Sequence, residues 1–469
     1  MFLFKSSVVR QYLIVIVANF SYFPFGLETG WPSPVIAKLK DGNQTVLPQP
    51  ISDHDAAWVV SIGLLVGLPG MLISSYLMDR FGRKCCLVIS YTPRLVKTLL
   101  CVFASEAWML ILARSLAGIS DLFAICLMCT YTSEIASKEI RGALGTISQI
   151  SFAAGMMVML CVGPFLSYLT LNIMNSVFVF TFFVPLIFLP ETPYFLYSKG
   201  RKEESIKTLT YLRGSKEAAY EEIKDYSTNS DVSIDKIKLM KDVNFWKSLG
   251  KGIFLGVGAQ ATGYNSLSFY LQTIFASTHT TITPEVSSLV IGCIELLGCT
   301  CNIFITDRLG RKPILTVSLF FMAAGMIGLG TFFYFKNHNY DITGFLDYLP
   351  LLSIMLTIFC YNTGIGSILM MFVAEVFDGP SRATGVSTVV FITCFFTFLV
   401  IRYLAAVTAA VGPMSTYYGF SVGCMIMCFF VAFCLPETKG KAFSQIQKEM
   451  KSSTKTNEEE LENYHQNTI

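Results

Sequence analysis

The chain has 469 residues, a formal net charge of +3, 53% hydrophobic side chains and only 14% charged ones. Soluble domains carry about 25% charged residues, so an ordinary water-soluble globule is excluded, and a mean hydropathy of +0.56 agrees. So small a net charge, with basic residues spread over short turns, also excludes a nucleic-acid-binding stripe.

In chain order, Lys5 and Arg10 precede a first apolar run over 12–27. No small-residue cleavage site follows it, so it reads as a retained span and not a signal peptide. Further runs cover 56–78, 86–104, 108–131, 143–167, 173–189, 252–275, 286–306, 314–335, 349–376, 386–411 and 417–435. Each approaches the roughly 20 residues that a helix needs to cross about 30 Å of hydrocarbon. About twelve transmembrane helices are therefore expected, an all-α membrane protein.

The loops carry the orientation. With both termini cytoplasmic, the inner turns hold Arg80, Arg83, Lys84, Lys138, Arg141, Arg308, Arg311, Lys312 and Arg382. The opposite turns are nearly bare of basic residues apart from Lys38, Lys40 and Lys336, a positive-inside pattern. This topology puts the sequon at Asn43 outside as a glycosylation site, while the one at Asn19 falls within the membrane. Of the fourteen cysteines, most lie in apolar runs and the first long external loop has none, so no structural disulfide is expected.

Two stretches break the rhythm. Residues 191–250 turn charged, with helical spacing at Ile206, Leu209 and Leu212, and read as a cytoplasmic linker of short amphipathic helices. The tail over 437–469 is polar and reads as disordered. The linker separates a six-helix half over 1–190 from a second over 251–436.

The halves are duplicated. Asp79-Arg80-Phe81-Gly82-Arg83-Lys84 returns as Asp307-Arg308-Leu309-Gly310-Arg311-Lys312, an offset of 228. Glu134 and Arg141 return as Glu375 and Arg382 at 241, and Pro190-Glu191-Thr192 as Pro436-Glu437-Thr438 at 246. Parallel six-helix repeats of this kind belong to transporters that bind cargo near the midplane and rock one half against the other. Topology alone needs no carboxylates, so Arg80, Arg83, Glu134 and Arg141, with Arg308, Arg311, Glu375 and Arg382, read as a cytoplasmic latch. Such a latch must have intermediate strength, or it would hold one state permanently.

The motifs D-R-F-G-R-K, R-S-L-A-G, E-I-A-S-K-E-I-R-G-A-L-G-T, P-E-T-P-Y-F-L-Y-S-K-G-R, D-R-L-G-R-K and P-E-T-K-G together resemble the sugar porter family of the major facilitator superfamily. G-W-P-S-P after the first run looks like the insect trehalose-transporter-like members. The resemblance implies transport of a hexose or trehalose by facilitated diffusion, in a plasma-membrane protein that works as a monomer. It implies sugar contacts from Gln149, Gln260 and Asn265, with Tyr270 at an external gate; amides suit hydroxyl-rich ligands because they both donate and accept. The chain departs from the family at Ala259, Leu369, Met370 and Cys394. It also carries Glu295 in the eighth span and Asn362 in the tenth, as if two partners across the cavity had been exchanged.

Charges within spans are costly and therefore functional candidates. Glu28 stands where proton-coupled members carry Asp, and Arg114 matches a fourth-span arginine, so proton-coupled symport through this pair is an alternative. Arg94 and Asp121 sit at similar depth and are expected to pair structurally, whereas Lys97 and Arg402 have no assigned partner. A further alternative is a non-transporting sugar receptor. No G-x-x-x-x-G-K-[ST] loop occurs, and His54, His279, His338 and His465 lie in loops or the tail without ligand spacing. No cofactor, metal, nucleic-acid partner or enzymatic activity is expected.

Overall fold

The computed structural model describes residues 6–137, 140–229, 243–377, 379–435 and 437. Every regular element among them is a helix. Among the described residues, eleven helices are long and apolar enough to cross a bilayer. They include the first span, Ser7–Lys40, and the second to sixth, Asp53–Phe81, Arg83–Val102, Ala107–Ile135, Arg141–Val162 and Tyr168–Ile187. The eighth and ninth spans are Pro284–Leu309 and Arg311–Asn337, and the eleventh and twelfth are Gly379–Val411 and Pro413–Cys434.

The seventh and tenth spans are broken. The seventh consists of Val243–Ala261 and Tyr264–Thr278, with Gly263 between them at φ 80°. Glycine is required there twice over: the left-handed backbone disfavours a side chain, and a Cβ would lie 2.6 Å from the Phe420 ring. The tenth consists of Phe345–Thr363 and Ile365–Val376. Neither helix of the seventh span is by itself an uninterrupted apolar crossing, which is why eleven crossings and not twelve meet the length-and-hydropathy criterion.

The first span is longer than its apolar run. It is helical from Ser7 to Lys40 through a short 3-10 turn at Asn19–Ser21, so the sequence boundary at 27 falls short. Polar and charged residues extend it because they are buried among neighbouring spans. Even Lys38, read from the sequence as part of an external turn, is buried and donates to the Pro164 carbonyl at 2.8 Å.

Spans approach closely where side chains vanish. A Cβ on Gly118 of the fourth span would lie 1.9 Å from the Gly63 carbonyl oxygen of the second. Small residues let backbones touch where lipid offers no hydrophobic drive to association. Large apolar side chains such as Leu72, Phe188, Phe304 and Phe433 point outwards, as a hydrocarbon solvent permits.

Among its described residues the linker forms three helices, Pro193–Ser198, Lys202–Arg213 and Lys216–Asn229. They dock on the first half: Gln11 donates to the Leu212 carbonyl and Arg213 to that of Ile135. The seventh span then starts at Val243, inside the stretch read as linker from sequence. Asn43 is exposed in the loop after the first span. All fourteen cysteines are free thiols.

Candidate functional site

A cavity of about 220 Å³ lies between the halves. The first half supplies Phe25, Thr29, Arg114, Asp121 and Phe152, and the second supplies Asn265, Phe269, Cys394 and Thr397. At the end away from the charged turns the halves meet directly. Ser33 Oγ accepts from the Gln272 backbone N–H at 3.1 Å, the Trp58 and Phe398 rings lie 6.3 Å apart, and Cys161 reaches the Leu289 carbonyl. Arg402, without an assigned partner in the sequence, stacks its guanidinium 4.6 Å from the Trp58 ring.

The break in the seventh span organises the polar residues around it. Asn265 Nδ2 donates to Gln260 Oε1 at 2.6 Å, bridging the two helices, and Asn265 lines the central cavity. Tyr270 faces elsewhere. It lines a second cavity, of about 520 Å³, on the side of the seventh span towards the ninth, eleventh and twelfth. Gln149 is exposed on the fifth span and lines neither cavity. The expected sugar residues are thus not all brought together.

Glu295 is 1% exposed and accepts a short hydrogen bond from the Tyr264 hydroxyl, which stands at the start of the seventh span's second helix. Its other carboxylate oxygen has no hydrogen-bond partner. The Asn362 amide lies beside it, but donates to the Ile358 carbonyl at 3.0 Å and accepts from the Cys299 thiol. The Tyr264 and Tyr361 rings stack at 3.5 Å beneath. The exchange of partners read from the sequence therefore has a third member, Tyr264, which sequence reasoning missed. The signal was its place immediately after Gly263, at the helix break.

Glu28 differs sharply. Its carboxylate accepts from Lys97 Nζ at 2.6 Å, from Asn175 Nδ2 at 3.2 Å and from Arg114 Nη1 at 3.4 Å. Arg114 also donates to the Glu28 and Val59 carbonyls. The Glu28–Arg114 pair read from the sequence is joined by a closer cation, Lys97 of the third span. Trp31 roofs the group, with Lys97 Nζ 5.0 Å and Arg114 Cζ 5.7 Å from its ring, and its indole N–H donates to Asn172. Arg94 and Asp121 pair at 2.5 Å, as their common depth implies, and Arg94 also donates to the Ser21 carbonyl. Lys97 was legible as a buried charge, but choosing its partner required the third span's rotation.

At the charged turns, Arg83 Nη2 lies 2.9 Å from Glu134 Oε1 and Arg83 Nη1 lies 3.5 Å from Asp79 Oδ1. The guanidinium sits over Phe195, 5.5 Å from the ring centre. Arg80 is not part of this group: it is exposed and donates to the Tyr76 hydroxyl. Glu191 was missed. It accepts from the backbone N–H groups of Arg83 and Lys84, holding the N-terminus of the third span. Glu437 does the same for Arg311 and Lys312 at the ninth. A carboxylate at a helix N-terminus satisfies orphan donors and complements the dipole. The repeated P-E-T was the available signal. The side chains of Arg141, Arg308, Glu375, Arg382 and Met370 lie outside the described residues, as does Lys138.

Comparison with known proteins agrees with this architecture. Residues 14–450 match the family model described as "Sugar (and other) transporter". The chain is 29% identical to the facilitated trehalose transporter Tret1 of Polypedilum vanderplanki, over 94% of this chain and 88% of that one. It is 28% identical to the Tret1 of Aedes aegypti, of whose longer chain it covers 55%. Among solved structures, the inward-open conformation of the xylose transporter XylE from E. coli superposes with a TM-score of 0.79. That match covers 93% of this chain and 99% of XylE at 20% identity, and so speaks for the fold. Two six-helix halves around a shared cavity, the repeated charged turns and the family match converge: the chain belongs to the family of sugar (and other) transporters.

Proposed function

We propose that this protein carries a neutral sugar, a hexose or trehalose, across the plasma membrane by facilitated diffusion, as a monomer with both termini in the cytoplasm. It moves its cargo without chemical conversion. Asn265 and Gln260 contact the sugar from the second half, while Phe25, Phe152 and Phe269 offer apolar faces to its rings. Gln149 joins them when the halves move, since rocking shifts the fifth span relative to the cavity. The relatives named as facilitated trehalose transporters support both the cargo class and the absence of coupling.

The observation that carries the facilitated reading is the state of Glu28. A carboxylate held by two cations and an amide, all buried, is fixed in place by partners on three other spans. A proton-coupling group needs to let go. The turn residues Arg83 and Glu134 act as the cytoplasmic latch, and Asn43 is a glycosylation acceptor on the outside.

Uptake of radiolabelled glucose and trehalose in a transporter-null cell tests this, with and without a pH gradient. Influx that saturates and ignores a protonophore is expected. Influx driven by the gradient would replace facilitated diffusion with symport, and binding without influx would make the protein a receptor.

A further inference from the structure

The fifth and eighth spans cross where the two halves touch, at the end of the bundle away from the charged turns. Gly292 of the eighth span marks the crossing: a Cβ there would lie 3.1 Å from the Leu160 Cβ and 3.4 Å from the Met157 carbonyl oxygen. Small residues let backbones approach in this way within a membrane bundle. Met157, Leu160 and Cys161 share one face of the fifth span, and Leu289, Gly292 and Cys293 share one face of the eighth. Both triplets have the i, i+3, i+4 spacing of helix neighbours. Cys161 Sγ donates to the Leu289 carbonyl at 3.5 Å and would lie 3.2 Å from a Cβ on Gly292. Its side chain is also a hydrogen-bonding neighbour of the Cys293 thiol.

Two free thiols in contact, one from each half, can do what neither does alone. A disulfide needs backbones that already lie close together, and the crossing at Gly292 supplies that closeness. Cys293 is exposed and Cys161 partly so, and a small neutral oxidant can reach them from water or from lipid. Neither residue lines the central cavity, so bonding them leaves the cargo contacts untouched. What the bond would change is the freedom of the halves to part. Cys161 is the last residue but one of the fifth span, on the side where Ser33 meets Gln272 and Trp58 meets Phe398. Those weak contacts can open; a covalent link among them cannot.

We propose that Cys161 and Cys293 form a redox-modification site, whose disulfide clamps the fifth span to the eighth and holds the transporter closed at this end. Hydrogen peroxide is the oxidant. It converts the exposed Cys293 thiol to a sulfenic acid and releases one water. The Cys161 sulfur then attacks the sulfenic sulfur, and its proton leaves with the displaced hydroxyl as a second water. Two thiols thus become one disulfide while one peroxide becomes two waters. A dithiol reverses the bond by exchange. The clamp rests on the reading of this chain as a sugar transporter, because closure matters only where the halves must part to admit cargo.

The full chain in proteoliposomes, treated with hydrogen peroxide and quenched with N-ethylmaleimide, tests the site by peptide mapping without reduction. A cross-linked pair of peptides carrying Cys161 and Cys293 is expected, and dithiothreitol should separate them. Peroxide should cut glucose or trehalose influx about tenfold or more, and dithiothreitol should restore it. Cys161→Ala and Cys293→Ala should each transport like the untreated wild type and lose less than about twofold on oxidation. A missing cross-link at peroxide levels that oxidise the exposed Cys85 overturns the site. A cross-link with undiminished influx overturns the clamp, and so does equal inhibition of both variants, which puts the sensitive thiol elsewhere. A chain that moves neither sugar before oxidation overturns the sugar reading and the clamp with it; the cross-link then stands or falls on the peptide map alone.

Discussion

Lys97 Nζ lies 2.6 Å from the Glu28 carboxylate, and both side chains are wholly buried within the membrane-spanning bundle. Each is present because the other is. An unpaired charge at such depth costs about 2.5 kcal/mol or more, and breaking a buried pair by removing one partner costs about 3–5 kcal/mol. Glu28→Gln should therefore destabilise the purified protein by an amount in that range, and so should Lys97→Met. The double variant should recover much of the loss in a thermal-unfolding cycle. Additive losses would mean that the two residues do not act as a pair.

Glu295 should behave oppositely. It has a tyrosine donor and, among the described residues, no cation within ion-pair distance, so Glu295→Gln keeps an acceptor for Tyr264 and should change stability by less than about 1 kcal/mol. Tyr264→Phe removes the hydroxyl and should cost about 1–3 kcal/mol. A thermal-shift comparison of the two variants checks the ranking; a larger loss for Glu295→Gln would show that the ionised carboxylate is required.

The charged turns make a prediction about motion. Arg83→Ala removes the guanidinium from Glu134 and Asp79, and should raise labelling of a cavity cysteine from the cytoplasmic side. Glu191→Ala strips the carboxylate from two backbone donors and should cost about 1 kcal/mol in stability as well. Inside labelling that stays at the wild-type level in both variants would remove the latch from the mechanism.

The central cavity is small enough to block. Cys394→Trp places an indole among Phe152, Asn265 and Phe269, and should cut sugar influx at least tenfold while surface expression holds. Asn265→Ala should raise the KM for influx about tenfold, the loss of one or two hydrogen bonds. Unchanged kinetics in both would place the pathway elsewhere.

Close backbone packing makes the sharpest structural prediction. Gly118→Val directs a branched side chain into the Gly63 carbonyl, with no flexible atom available to yield. The variant should fail to accumulate as folded protein, which size-exclusion profiles of a fluorescent fusion would reveal. A monodisperse peak at the wild-type position would show that the second and fourth spans can separate.

Much of this protein is written in one dimension. Apolar runs of membrane-spanning length, basic turns and a repeat in register determine the helices and the two halves, because lipid allows few other ways to satisfy a backbone. The same logic marked Glu28, Arg94, Lys97, Arg114 and Asp121 as special. It paired Arg94 with Asp121 and Glu28 with Arg114, but gave Lys97 no partner. Partnership depends on helix rotation and on the first span extending to Lys40, and those are set by side chains packing against side chains. The Gly263 break was visible as a glycine, but only the folded chain turns Asn265 into one cavity and Tyr270 into another. Sequence determined which residues must be buried; the tertiary structure decided what each one meets, because contacts between spans depend on rotation and depth that no local pattern encodes.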